Sequence, residues 1–317
     1  MPRFLYIGAP EASATEFTAM AHAALPGLDF AAVDGRAAAL PLAPSCEAMI
    51  GHHFQFDEEL VMAAPKLRWL QSLTTGTDQI LRLASLGRDV TVTSTRGMHG
   101  PQMSELVFLH MLALARDFPR MQRNQAACDW QRWPQPLLWG KTAVIVGLGA
   151  IAEALAPRCK AFGMQVHGVS STPRAVAGFD AVHARAQLKE AAALADFLVL
   201  IVPLSAETEN LIDAQVLAAM KPGAYLVNAA RGGVLDEDAL LLALRDKRIA
   251  GAGLDVFRQQ PLPANSPFWR EPGVIITPLV GGMSDIYLQQ AFPIVEANLR
   301  CFIEGRMDRM HNTVART

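Results

Sequence analysis

Short segments rich in β-forming apolar residues alternate with helical segments along almost the whole chain, and this alternation restricts the possible folds most strongly. Strands that are separated by helices pair in parallel, because each crossover connection returns the chain to the end of the sheet at which the previous strand began. The alternation therefore predicts an α/β fold. The candidate strands lie at residues 4–7, 28–33, 48–51, 68–73, 90–93, 143–146, 165–169, 197–202, 225–228, 251–254 and 274–276.

The length of 317 residues exceeds what one hydrophobic core usually supports, so two domains are expected. One α/β region covers the first five candidate strands, and a second opens at Lys141. Between them, residues 103–114 carry an apolar helical stripe, and this helix is expected to end or kink just before Pro119. Residues 130–139 are rich in Trp and Pro and suit a linker or an interface loop. A last helix is expected at 285–304.

Composition and charge exclude several classes of function. The longest apolar run, residues 194–204, contains Asp196 and is too short to span a membrane, and the first residues lack the features of a signal peptide. A cytoplasmic protein is therefore expected. The four cysteines are scattered without metal-binding spacing, so we expect free thiols and no metal site. The net charge is −2 without a Lys/Arg cluster, which argues against nucleic acid as a partner.

A glycine-rich segment, Gly147-Leu148-Gly149-Ala150-Ile151-Ala152, directly follows the candidate strand 143–146 and opens a helix. In this context glycines let the backbone approach a pyrophosphate at the helix N-terminus. The segment predicts a dinucleotide site at Gly147, Gly149, Ala150 and Ile151. A tight structural turn is the alternative, since the motif by itself is weak evidence.

The end of the next strand bears on the choice of dinucleotide. An NAD site would place Asp or Glu there to hold the ribose hydroxyls, but residues 169–174 contain no acid. Ser170, Ser171 and Arg174 instead suit a 2′-phosphate, so NADP is preferred over NAD. The alternative is that Arg174 is only a solvated surface residue.

An ordered series of motifs resembles the D-isomer-specific 2-hydroxyacid dehydrogenase family over nearly the whole chain. The resemblance implies a homodimer whose subunits have a discontinuous, flavodoxin-like substrate domain (1–100 and 285–317) and a central, doubly wound, Rossmann-like cofactor domain (101–284). It also implies hydride transfer between a nicotinamide and a small 2-oxo or 2-hydroxy acid. The motifs are the Thr75–Asp78 turn, the 147–152 loop, Val202-Pro203-Leu204 with Thr208, and the segments 228–233, 253–261 and 277–282.

The resemblance also assigns residues to roles. Arg231 occupies the position of the family's substrate-binding arginine, whose planar guanidinium can hold a carboxylate through two hydrogen bonds. The backbone of Thr74, Thr75 and Gly76 matches the turn that receives the substrate carboxylate. The positions that match cofactor contacts are Val202, Pro203, Thr208, Ala229, Ala230, Asp255 (near the nicotinamide), Gly281 and Gly282.

Two catalytic positions depart from the family pattern. The family has a histidine as general acid/base and a glutamate that holds it, where this chain has Leu279 and Gln260. Leucine cannot transfer a proton, and an amide cannot stabilise an imidazolium as a carboxylate does. Since such assistance is worth about 10²–10⁴ in rate, carbonyl reduction is expected to be impaired. A glutamate facing leucine would lack a hydrogen-bond partner. The presence of both Leu279 and Gln260 therefore suggests that the two positions changed together.

Other residues could supply the proton in place of the family's histidine. His99, Ser284, Asp285 and Tyr287 lie near the relevant motifs, but surface turn and hinge positions are the favoured interpretation for them. Trp139, or less so Trp133, resembles the aromatic that some relatives insert into the partner subunit's pocket, with dimer packing as the equal alternative.

Two functions follow from these observations. The first is an NAD(P)-dependent oxidoreductase whose substrate needs no histidine. Formate oxidation is a partial parallel, because formate dehydrogenases of the wider family carry a glutamine at the glutamate position although they keep the histidine. The second is a catalytically silent paralogue that binds dinucleotide and a carboxylate as a sensor or partner subunit. Retention of Arg231 favours the first function and Leu279 favours the second.

Overall fold

The computed structural model describes residues 4–315, which divide into two compact units. The first unit runs to Met98 and resumes at Met283, and the second is His99–Gly282. Each contains one parallel β-sheet with helices on both faces. The expected α/β class with two Rossmann-like domains is therefore confirmed.

The first unit is a five-stranded sheet in the order β2-β1-β3-β4-β5. Strand β1 pairs with both β2 and β3, so the strand order reverses beside β1, as in flavodoxin-like sheets. The last helix, α11, returns to this unit from the far end of the sequence. The elements are β1 (Phe4–Gly8), α1 (Ala14–Ala24), β2 (Phe30–Asp34), α2 (Arg36–Ala39), β3 (Ala48–Gly51), α3 (Glu58–Met62), β4 (Trp69–Ser72), α4 (Asp78–Leu81), β5 (Thr91–Thr93) and α11 (Tyr287–Ile303).

The strands of this sheet are apolar on both faces because both faces are covered. In β1, Phe4 and Tyr6 belong to the core under α1 and α11, whereas Leu5 and Ile7 belong to the core on the opposite face. Alternate side chains of a strand point to opposite faces, so a strand buried on both sides is a continuous apolar run.

The second unit is a seven-stranded parallel sheet in the order β12-β11-β10-β9-β6-β7-β8. Its strand order reverses between β6 and β9, and this is the doubly wound arrangement of dinucleotide-binding domains. The elements are α5 (Gly100–Ala115), α6 (Phe118–Ala126), β6 (Thr142–Val146), α7 (Ala150–Ala161), β7 (Gln165–Ser170), β8 (Ala181–Ala184), α8 (Leu188–Leu194), β9 (Phe197–Leu200), α9 (Ala214–Ala219), β10 (Tyr225–Asn228), α10 (Glu237–Arg245), β11 (Gly251–Leu254) and β12 (Val274–Ile276).

Every candidate strand of the sequence is present. Strand β8 was not expected, because its four residues are all only half-buried and form no apolar run. The helix expected to end just before Pro119 ends at Ala115, and Pro119 lies in the first turn of the next helix, α6. Proline is tolerated in a first turn because its missing N–H would have no intrahelical partner there.

Across residues 4–315, none of the helices combines the length and the apolar character that a membrane span requires.

Candidate active site

The glycine-rich segment of the second unit forms the turn between β6 and α7. Gly147 has a φ of 105°, and its N–H donates to the carbonyl oxygen of Val169 at 2.9 Å. A Cβ at Gly147 would lie 2.9 Å from the nitrogen of Val202, which follows β9. Both the backbone conformation and the close approach of two strand ends therefore require glycine here.

The N-terminus of α7 is built to accept an anion. Gly149 is its N-cap and provides no side-chain cap, and a Cβ built there would meet no atom within 4 Å. The first N–H groups of the helix at Ala150 and Ile151 are thus left for an anion next to open space. The turn lies where the strand order reverses, and these features fit the pyrophosphate of a dinucleotide.

The predicted discriminating residues lie at the end of β7. The hydroxyl of Ser170 accepts the N–H of Thr172 at 3.2 Å, which forms a local turn. Arg174 pairs with Glu153 of α7 at 2.8 Å, and both side chains are about half exposed. An exposed ion pair of this kind contributes little to the free energy of folding. Arg174 can therefore exchange Glu153 for a ligand phosphate.

Thr208 has a structural role in the segment after β9. It is 2% exposed, and its hydroxyl donates to the carbonyl of Pro203 and accepts the N–H of Ser205, both at 2.7 Å. Its hydrogen-bonding groups are therefore used to shape the loop that begins at Val202 and Pro203.

The turn that carries Arg231 follows β10. Asn228 braces it, since its side-chain oxygen accepts the N–H of Ala230 at 3.1 Å and its amide donates to the carbonyl of Arg231 at 3.2 Å. Gly232 packs so closely on the backbone of Phe257 and Arg258 that a Cβ would overlap it. Arg231 is thereby held half-buried at the carboxyl end of the sheet.

The carboxylate of Asp255 organises the segment after β12. It is 2% exposed and accepts the Thr277 hydroxyl at 2.6 Å and the N–H groups of Val280 and Gly281 at 3.1 Å each. Its oxygens are thus committed to the backbone around position 279. The cofactor role expected for Asp255 is compatible with this location, but its direct contacts are with its own chain.

Sequence reasoning missed His110, which supports the same segment from α5. Its Nε2 lies 3.0 Å from the Thr277 hydroxyl, while its Nδ1 is buried against Gly253 and lacks a hydrogen-bond partner. Because Thr277 donates its only hydroxyl proton to Asp255, His110 donates to Thr277 from Nε2. Burial lowers the pKa of His110, which favours the neutral form of the ring. The contact joins α5 to the residue after β12, which are far apart in sequence and close in space. No local sequence signal could therefore have predicted it.

The two positions at which the acid/base pair was expected are both solvent-accessible. Leu279 is 50% exposed with a φ of 56°, and its N–H donates to the carbonyl oxygen of Asp255 at 3.0 Å. Gln260, on the loop after β11, is also exposed. Neither side chain fills a core, so their replacement by histidine and glutamate would not disturb packing.

His99 is buried, contrary to the surface position favoured from the sequence. It is 8% exposed, and a Cβ at Gly282 would lie 3.8 Å from its Nε2. Burial, reinforced by the positive charge of Arg231, lowers its pKa to about 4. His99 therefore carries no charge at neutral pH and cannot act there as a cationic proton donor.

The other proposed replacements belong to the first unit. Tyr287 is buried and donates its hydroxyl to the carbonyl oxygen of Leu73 at 2.6 Å, while Ser284 donates to the Gln290 side chain at 2.7 Å. Tyr287 thus braces the turn after β4, and burial raises its pKa far above the physiological range.

That turn carries Thr74, Thr75 and Gly76, the residues expected to receive a carboxylate. The Thr74 hydroxyl donates to the carbonyl oxygen of Gly76 at 2.9 Å and lies 2.8 Å from the hydroxyl of Ser72. Thr75 is exposed, and its neighbours are half-buried. The turn is therefore both internally braced and accessible.

Comparison with known proteins agrees with this geometry. Residues 108–281, more than half of the chain, match the model of the D-isomer specific 2-hydroxyacid dehydrogenase NAD binding domain. A glyoxylate reductase of Thermococcus litoralis is 35% identical over 265 residues, covering 79% of this chain and 78% of the relative.

Two solved structures extend the similarity over the full length. A D-isomer specific 2-hydroxyacid dehydrogenase family protein from Aeromonas salmonicida is 36% identical with a TM-score of 0.91 and covers 100% of both chains. A second, from Xanthobacter autotrophicus in complex with NADPH and MES, is 28% identical with a TM-score of 0.84 and covers 99% and 98% of the two chains. The chain therefore belongs to the D-isomer-specific 2-hydroxyacid dehydrogenase family.

Proposed function

We propose that this protein transfers hydride between NADPH and a small 2-oxo acid, at a rate limited by the missing acid/base pair. The observation that carries the proposal is the position of Arg231. The braced glycine turn with Arg231 lies at the carboxyl edge of the same sheet that carries the Gly147–Ile151 turn, and the Arg231 guanidinium donates to the carbonyl oxygen of Ala230 at 2.8 Å. A planar guanidinium at that edge suits a carboxylate beside a carbonyl.

The proposed rate limit follows from the groups that remain. Arg231 can polarise a carbonyl oxygen, but Leu279 and Gln260 have no proton to transfer, and His99 is uncharged at neutral pH. Proton transfer then depends on water. Loss of general acid–base assistance predicts a rate about 10²–10⁴ lower than that of a complete site.

The proposed preference for NADPH has two supports. Residues 169–174 provide hydroxyls and a cation but no carboxylate, and the exposed Arg174–Glu153 pair is easily opened. In addition, the similar structure from Xanthobacter autotrophicus contains NADPH.

The deciding experiment measures cofactor binding and turnover together. NADPH and NADH are titrated by fluorescence, and the reduction of glyoxylate and hydroxypyruvate is then followed in the wild type and in the double variant Leu279→His/Gln260→Glu. Because both positions are exposed, the double variant should fold as the wild type does. We expect similar NADPH affinity in both proteins and a rate at least about 100-fold higher in the double variant.

The single variant Leu279→Asn, which restores no acid, is the matched control and should remain at the wild-type rate. A double variant no faster than the wild type would contradict the proposed rate limit. Failure of the wild type to bind either nucleotide would overturn the proposed function itself.

A second candidate function is a silent paralogue that binds dinucleotide and a carboxylate without turnover. The specific observation in its favour is that Leu279, Gln260 and the uncharged His99 leave the second unit without a charged acid/base at the expected positions. Nucleotide binding without detectable wild-type turnover in the same experiment would establish it.

We also propose that the protein is a homodimer through the second unit. Several large apolar side chains of this unit are exposed, and such residues commonly mark protein interfaces. They are Leu109, Phe118, Trp130, Leu137, Trp139 and Phe162.

A further inference from the structure

The two positions at which an acid/base pair was expected present neutral side chains to solvent. Leu279 is 50% exposed, Pro278 before it is exposed, and so is Gln260 on the loop after β11. Leucine and proline offer only alkyl groups, and the glutamine amide is not an acid. A ligand at these positions therefore meets alkyl groups and an amide where a proton donor was expected.

A buried negative charge lies next to Leu279, whose backbone N–H donates to the carbonyl oxygen of Asp255. The carboxylate of Asp255 is 2% exposed. Its donors are the hydroxyl of Thr277 and the backbone N–H groups of Val280 and Gly281. These donors are neutral, so they satisfy the lone pairs of the carboxylate but leave its charge. Since attraction between charges is stronger away from water, this charge favours a positive group on a ligand at position 279.

Two further groups bear on the charge of the site. Arg231 is positive and suits the carboxylate of a 2-oxo acid. Burial, reinforced by the charge of Arg231, lowers the pKa of His99 to about 4, so its ring is uncharged at neutral pH. Arg231 and Asp255 together are therefore complementary to a ligand that carries one negative and one positive group.

A carbonyl and a protonated imine make opposite demands on such a site. When hydride adds to a carbonyl carbon, the electron pair of the C=O bond moves to oxygen, which then needs a proton from an acid. When hydride adds to a protonated imine, the electron pair of the C=N bond moves to nitrogen and cancels its positive charge. The product is a neutral amine, and no proton has to come from the protein.

An acid at position 279 would in addition be unfavourable for a protonated imine. The nitrogen of such an imine has no lone pair to accept a hydrogen bond, and its positive charge would be repelled by a histidinium. Leu279 and Gln260 remove both the donor and the repulsion. One chemical demand thus accounts for both residues.

We propose that this protein reduces 2-imino acids, the protonated imines that 2-oxo acids form with primary amines. The inference rests on the proposed function for the nicotinamide, which supplies the hydride when bound, and for the carboxylate at Arg231. A 2-oxo acid and an alkylammonium ion lose water to give the iminium. Hydride then reduces its carbon, and the resulting amino acid takes a proton from water.

The first test compares three reactions of the full chain with NADPH: pyruvate alone, pyruvate with methylamine, and pyruvate with trimethylamine. Trimethylamine is the matched control, because it is a base of comparable strength but has no N–H and cannot form an imine. NADPH oxidation is followed by absorbance, and mass spectrometry identifies the product. A reaction without protein gives the background rate.

We expect methylamine to raise the rate at least about ten-fold, because only the carbonyl lacks a proton transfer that is worth about 10²–10⁴ in rate. The product should be N-methylalanine, and trimethylamine should have no effect. In Leu279→His/Gln260→Glu, pyruvate alone should react fast and the advantage of methylamine should disappear.

The second test measures binding without turnover. N-methyl-D-alanine, whose ammonium group carries the charge of the iminium, and D-lactate are titrated by calorimetry into the chain without nucleotide. Leu279→Lys places a positive charge at this exposed position and should weaken N-methyl-D-alanine relative to D-lactate at least about five-fold. Leu279→Gln, the neutral variant of similar length, should keep the wild-type ratio. An unchanged ratio in Leu279→Lys would overturn the placement of the nitrogen at position 279.

The outcomes separate this inference from the proposed function. Turnover of pyruvate that methylamine does not accelerate would overturn the inference and leave the proposed function standing. Equal acceleration by trimethylamine, or lactate as the product, would also overturn it, because the amine would then only deliver a proton. Turnover in the presence of methylamine alone would support the inference and contradict a 2-oxo acid as the acceptor. Failure to bind NADPH would overturn both.

Discussion

At the level of single residues, the carboxylate of Asp255 is committed to the segment that carries Leu279. Three donors converge on it, from Thr277, Val280 and Gly281, and His110 supports Thr277 from the opposite side. A buried carboxylate is costly unless its lone pairs are satisfied, so these bonds hold the segment in one conformation. The left-handed backbone of Leu279 is maintained by this arrangement and not by packing of its exposed side chain.

The variant Thr277→Val tests this arrangement. It removes the hydroxyl between His110 and Asp255 at nearly constant volume, and we expect the free energy of unfolding to fall by about 1–3 kcal/mol. Urea denaturation followed by circular dichroism measures the change. Thr172→Val, on the exposed turn after β7, is the control and should shift stability by less than about 0.5 kcal/mol. An equally small effect of Thr277→Val would show that the two backbone N–H groups suffice.

At the level of elements, the strand ends and helix starts of the second unit form the proposed dinucleotide site. Gly147 permits the β6–α7 turn to approach Val202, and the end of β7 brings Arg174 to Glu153 of α7. The turn proposed to bind phosphate and the residues proposed to discriminate between NADPH and NADH therefore adjoin the same helix. A 2′-phosphate would compete with Glu153 for Arg174.

This competition makes a prediction about cofactor preference. Arg174→Ala should weaken NADPH binding about five- to ten-fold and leave NADH binding unchanged, because only NADPH carries the phosphate that the guanidinium contacts. Glu153→Gln, the matched variant of the partner, should leave NADPH binding equal or tighter. Fluorescence titration of both nucleotides measures these affinities. Equal losses for NADPH and NADH in Arg174→Ala would refute the preference for NADPH.

At the level of the whole molecule, the exposed apolar residues of the second unit are the basis of the proposed homodimer. Trp139 is 74% exposed although its ring packs directly over Gly163, where a Cβ would overlap it. Trp130 is 91% exposed on the same Trp- and Pro-rich stretch. Large aromatic side chains are the residues that most often dominate protein interfaces.

Trp139→Ala is therefore expected to raise the dissociation constant of the homodimer at least about ten-fold, since truncation of an anchoring Trp commonly costs about 2 kcal/mol or more. Sedimentation velocity over a range of concentrations measures this change. Trp269→Ala, which removes a half-exposed Trp whose Nε1 donates to the carbonyl of Pro263, is the control and should leave assembly unchanged. A wild type that sediments as a monomer at all concentrations would contradict the proposed dimer.

The sequence by itself determined the α/β class, the glycine turn and the presence of leucine and glutamine at positions 279 and 260. These features are local: strands such as Phe197–Leu200 are continuous apolar runs, the Gly147 segment has its own spacing, and Leu279 cannot ionise in any fold. Strand β8 escaped prediction because it is short and half-buried.

Only the tertiary structure decided the environment of the histidines. The low pKa of His99 depends on burial and on Arg231, and Thr277 determines that His110 donates from Nε2. Each pair is far apart in sequence and close in space. Desolvation, charge and hydrogen bonding set the protonation of a histidine, and all three depend on neighbours that are brought together only by folding.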